Sequence, residues 1–167
     1  MSERTKVPDG VLVLDPACSA RMCWFDKADA RCLFSDIRRE TLITDTRPGR
    51  SPTVIDPDMI ADFTDLPFED ESFYHVVFDP PHTLNMAENT RTVKKYGTLH
   101  DDWREVLSKG FAECFRVLKP GGTLVFKWSS IHIPLKQILA LTPEKPLYGT
   151  RSGKQSHTYW ICFVKNL

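Results

Sequence analysis

Four short apolar segments of this chain close on or beside an aspartate: "VLVLD" at 11–15, "RCLFSD" at 31–36, "MIADF" at 59–63 and "YHVVFD" at 74–79. Runs of this length, apolar at nearly every position, are what a strand buried on both faces requires, and buried strands of this kind belong to parallel sheets. Between the later ones, "DDWREVLSKGFAECFRVL" sets Trp103, Val106, Leu107, Phe111, Cys114, Phe115 and Leu118 on one helical face, with Asp101 as its N-cap. "KPGG" stops that helix, "TLVFKW" at 123–128 forms a fifth strand, and "IPLKQILAL" is a short helix with Pro134 in its first turn. Strands near 145–150 and 157–165, joined through "RSGKQ", close the chain as an antiparallel pair. Helical segments are expected between the strands, beginning with one at about Ser19. The pattern is that of an α/β protein with a mostly parallel sheet of seven strands and helices on both faces.

A chain of 167 residues is read as one domain, 1–167. Residues 38–58, rich in Pro, Arg and Thr, are read as a surface insertion. There "ETLITD" and "TVIDPD" pair as a hairpin around "TRPGRS". Residues 83–100 form a long connection, read as a substrate loop with Gly97 as a hinge. The start, "MSERTKVPDG", lacks the apolar core of a signal peptide, and no apolar run approaches membrane-spanning length. A cytoplasmic protein without membrane contact is expected. The five cysteines are scattered without a Cys-x-x-Cys pair, so reduced thiols and no metal site are expected.

In sheets of this class ligands sit outside the carboxyl ends of the strands. Those ends carry Asp15, Asp36, Asp62, Asp79 and the Lys127-Trp128 pair. Asp36 follows Asp15 by 21 residues, near the spacing at which an acid on the second strand meets a ribose hydroxyl. The loop between them, "DPACSARM", has no glycine, which argues against a pyrophosphate and for a nucleoside ligand without one. After the fourth strand, "FDPPH" spends two prolines where Gly or Asn would turn the chain with less constraint. It is either a rigid strand exit or a device for aiming backbone carbonyls.

In order, "VLVLDPACSAR", "FSDIRR", "ADFTDLPFEDESF", "VVFDPPH" and "FRVLKPGGTLVF" resemble the class I S-adenosylmethionine-dependent methyltransferases, over residues 11 to about 128. "DPPH" is similar to the D/N-P-P-aromatic motif of those that methylate exocyclic or amide nitrogen, the adenine-N6 and cytosine-N4 enzymes. The resemblance implies a Rossmann-like fold and S-adenosyl-L-methionine as cofactor. It implies that Asp15, Pro16, Ala17, Cys18 and Ser19 border the methionine half. By the same resemblance Asp36 meets the ribose, Ile37 the adenine, Asp62 the adenine amino group, and Phe63 the ring. Catalysis would fall to Asp79 and Pro80, which hold the substrate nitrogen, with Pro81 and His82. Arg91, Lys94, Lys95 and Tyr96, together with Lys127 and Trp128, would contact substrate. The expected reaction is methyl transfer to a nucleobase amine in DNA or RNA, adenine ahead of cytosine.

Two alternatives stand beside it. Lys127 resembles the strand lysine of RNA ribose 2′-O-methyltransferases, although the closing strand lacks the glutamate of that group. The glycine-free first loop and the lack of a separate target-recognition domain fit a non-catalytic, cofactor-binding partner subunit. Pairing of two chains is left open.

Overall fold

A computed structural model describes residues 4–43, 47–49 and 51–166. Seven strands form one sheet in the order β5-β2-β1-β6-β7-β9-β8, where β1 is Val13–Asp15, β2 Cys32–Asp36, β5 Met59–Ile60, β6 Phe73–Phe78, β7 Leu118–Ser129, β8 Pro146–Arg151 and β9 Thr158–Val164. Strands β5, β2, β1, β6 and β7 run parallel, and β9 and β8 are antiparallel. The expected mostly parallel sheet with an antiparallel C-terminal pair is present. Strands β3 (Glu40–Leu42) and β4 (Thr53–Ile55) pair as the expected surface hairpin. Its tip falls partly on residues 44–46 and 50, outside the described residues.

Alternation along β7 sorts its side chains. Leu124, Phe126 and Trp128 point into the main core, fully buried, while Thr123, Val125 and Lys127 lie on the opposite face. Helix α2 (Trp103–Val117) lays Trp103, Leu107, Phe111, Cys114 and Phe115 into that core, and Ile138 of α3 (Leu135–Leu139) joins them. Each such buried side chain contributes about 1.5–3 kcal/mol. Gly110 is required in mid-helix, because a Cβ there would sit 2.8 Å from the Phe63 ring and 2.9 Å from Phe78. Its absence lets those two rings meet edge to face at 5.3 Å beneath the carboxyl end of β6.

The helix expected from Ser19 is replaced by turns. Ser19 and Arg21 both take positive φ, and Asp26 and Asp29 each accept a hydrogen bond from the backbone N–H two residues on, the local turns that compete with a helix. This segment covers the second face of the sheet: Cys18, Cys32 and Phe34 form a small core there with Val13 and Trp24. The strand expected at 59–63 is two residues long. Among the described residues all five cysteines are free thiols, and no helix is long and apolar enough to cross a membrane.

Candidate active site

The strand order reverses between β1 and β6, which lie side by side with β2 to one side and β7 to the other. A cleft of about 190 Å³ opens at their carboxyl ends. All nine residues expected at the cofactor line it: Asp15, Pro16, Ala17, Cys18 and Ser19 after β1, Asp36 and Ile37 after β2, and Asp62 and Phe63 after β5. Asp79, Pro81 and Tyr96 line it as well.

Asp15 is buried and doubly engaged. Ala17 N–H donates to Oδ1 at 3.3 Å and the Trp24 indole N–H to Oδ2 at 2.8 Å. Burial pushes its pKa up to about 7, against the pull of the Trp24 bond, and the nearby Asp79 charge adds to the rise. Trp24 therefore anchors the first loop as well as packing edge to face on Phe34 at 4.8 Å. Asp36 gathers the ends of two segments: Ser19 N–H donates to Oδ2 at 2.9 Å and Arg38 N–H to Oδ1 at 3.0 Å. A carboxylate has about four acceptor sites, so lone pairs remain on both oxygens. Thr64 donates to Oδ1 of Asp62 from both its backbone N–H and its hydroxyl, at 2.8 Å each.

At the other wall, Lys127 Nζ donates to Asp79 Oδ2 at 2.6 Å. Burial pulls the ammonium's pKa down, but the charge and hydrogen bond of Asp79 outweigh it, so it stands above the ordinary lysine value. The Pro80 ring is buried, while Pro81 faces the cleft. The His82 ring lies between Tyr96 at 6.4 Å and the edge of Trp128 at 6.3 Å. Its Nδ1 is buried without a hydrogen-bond partner, and burial foremost lowers its pKa. A neutral imidazole follows.

Trp128 is a correction. It shares its strand end with Lys127, but alternation turns it into the core, where it is fully buried and its indole N–H donates to Ile133 O at 3.0 Å. It cannot reach a substrate. Arg91, Lys94 and Lys95 belong to helix α1 (Arg91–Tyr96), which has Thr90 as its N-cap and rises beside the cleft. None of these three side chains lines the cleft; Tyr96 and Gly97 do. Gly97 has φ 77°, and a Cβ there would come 3.2 Å from Pro81, so the loop returns tightly against the proline pair. Arg38 and Met22, not expected from the sequence, line the cleft too. The only sequence signal for Arg38 was its place two residues after a strand-end aspartate.

The chain matches the methyltransferase domain family over residues 14–126, and it belongs to that family. No curated protein sequence matches it. Its fold is similar to the PH0226 protein of Pyrococcus horikoshii OT3, at 15% identity and TM-score 0.61, covering 92% of this chain and 81% of that one. It is also similar to a TehB-like S-adenosylmethionine-dependent methyltransferase of Corynebacterium glutamicum ATCC 13032 (16% identity, TM-score 0.59, 96% and 83% covered). A third likeness is to an S-adenosylmethionine-dependent methyltransferase of Methanosarcina mazei (15%, 0.55, 96% and 95%). The protein is an S-adenosylmethionine-dependent methyltransferase. The cleft residues fit that cofactor: acceptors with spare lone pairs stand at the ends of β2 and β5, small residues line the first loop, and the aromatic Phe63 lines the wall.

Proposed function

We propose that the protein methylates an exocyclic amine of a nucleobase, adenine ahead of cytosine, in DNA or RNA. In this reading Asp15, Pro16, Ala17, Cys18 and Ser19 hold the methionine half of the cofactor, Asp36 its ribose, and Ile37, Asp62 and Phe63 its adenine. The bound cofactor supplies an electrophilic methyl group on a sulfonium.

The observation that carries the reading is Asp79 at the cleft wall with Lys127 on one oxygen. Oδ1 is left to accept one N–H of an amine, and the carbonyl of Pro80 accepts the other. Two such acceptors draw the nitrogen lone pair out of conjugation with the base. They also stabilise the positive charge that develops on nitrogen, so they act more strongly in the transition state than before it. The proline pair holds the carbonyl's direction without a search at each turnover. Neutral His82 and Tyr96 supply aromatic faces for a base that is flipped out or single-stranded. Arg91, Lys94 and Lys95 lie on the adjoining helix, toward a nucleic-acid backbone.

Ribose 2′-O-methylation is the second reading, favoured by the same Lys127–Asp79 contact. It needs a lysine that gives up its proton, and Asp79 holds this one charged, so nitrogen ranks first. Incubating the protein with methyl-labelled cofactor and pools of RNA and DNA, then digesting to nucleosides, tests the proposal. Label on the base supports it; label on ribose favours the second reading.

A further inference from the structure

Helix α1 has six residues, far fewer than the roughly 12–15 below which an isolated helix is marginal in water. Its position therefore depends on anchors. Thr90 caps it at one end, and Val93 is buried. At the C-terminal end, where helix carbonyls lack intrahelical donors, the anchors come from the cofactor cleft. The Arg38 guanidinium donates to Lys94 O and to Lys95 O, both at 3.1 Å, and Ser19 Oγ donates to Lys95 O at 2.6 Å. The same two residues donate their backbone N–H groups to the Asp36 carboxylate. Glu40 and Asp36 hold the guanidinium from behind, at 3.1 and 3.6 Å.

From these contacts we infer that Arg38 is a positioning residue: with Ser19 it latches α1 over the cleft, keeps Tyr96 at the substrate side, and sets how long cofactor stays bound. The inference rests on the assignment of Asp36 and Ser19 to the cofactor. The cleft supports it in its lining, since Tyr96 and Gly97 form part of the wall, so that a displacement of α1 changes the cleft itself. Gly97 at φ 77°, against Pro81, is where the segment turns if it lifts.

Hydrogen exchange on wild type, Arg38→Ala and Arg38→Lys, with stopped-flow release of S-adenosylhomocysteine, tests this. Arg38→Ala is expected to speed exchange of the 93–97 amides about tenfold while α2 amides stay within about twofold. Release should quicken by a similar factor, and Arg38→Lys, which keeps the charge but cannot span two carbonyls as a fork, should recover part of each loss. Unchanged exchange at 93–97, an equal rise across α2, or an unchanged release rate overturns the latch. Failure of wild type to bind S-adenosylhomocysteine would instead count against the cofactor assignment, with the latch then judged by exchange alone.

Discussion

Lys127 reaches across from β7 to Asp79, the residue that ends the neighbouring parallel strand, and closes on Oδ2 at 2.6 Å. The pair fixes one oxygen of a carboxylate that lines the cleft. Asp79→Ala should lower kcat by about 10²–10³-fold, the loss typical of a missing group aimed at developing charge. Cofactor affinity should stay within about threefold by calorimetry, because Asp79 is assigned to the acceptor nitrogen. Lys127→Met should cost less than Asp79→Ala; a lysine acting as base would make the two losses equal.

Asp36→Ala removes the acceptor for Ser19 and Arg38 N–H together with the proposed ribose contact. The cofactor Kd should rise by about ten- to a hundredfold, as for one lost hydrogen bond to a charged group. Titration with S-adenosylhomocysteine measures it.

Gly110→Ala drives a methyl group into the Phe63 and Phe78 rings. Overpacking of this kind costs about 1–3 kcal/mol. Thermal unfolding should register that loss, and cofactor affinity should fall with it, because Phe63 lines the cleft. The same substitution at an exposed helix position would stabilise instead.

Asp15 carries a pH signature. Its pKa is raised from 3.8 to about 7, first by burial, so between those values the folded protein binds a proton that the unfolded chain does not. Stability from this group is complete below about pH 4 and is lost as pH rises through about 7, on the order of a few kcal/mol in all. Asp15→Asn keeps an acceptor oxygen without the charge, and its melting temperature should gain on wild type from about pH 4 to about pH 7 and level off above it. A constant difference between about pH 4 and about pH 7 would contradict the assignment.

The parts of this fold legible in the sequence were those where hydrophobic pattern and chain punctuation agree. The apolar runs ending in Asp15, Asp36 and Asp79 became adjacent strands whose ends build one cleft. Helix α2 was expected at 101–118 and spans Trp103–Val117, because its apolar stripe is long enough to be unambiguous. The 16–31 segment was misjudged because its turn chemistry is spread through Asp26, Asp29 and two positive-φ residues rather than marked by glycine. Trp128 was misplaced although the strand's own two-residue alternation with Lys127 already turns it away. Arg38 was illegible for a different reason: its partners are backbone carbonyls 56 and 57 residues away, and no local pattern encodes them.

The most direct test of the central claim is the position of the transferred methyl. Wild-type protein is incubated with methyl-labelled S-adenosylmethionine and with separate RNA and DNA pools, and the digested nucleosides are resolved by mass spectrometry. The account predicts label on the base at an exocyclic nitrogen, adenine first, and its disappearance in Asp79→Ala. Label on the ribose, or transfer that survives loss of the Asp79 carboxylate, would contradict it.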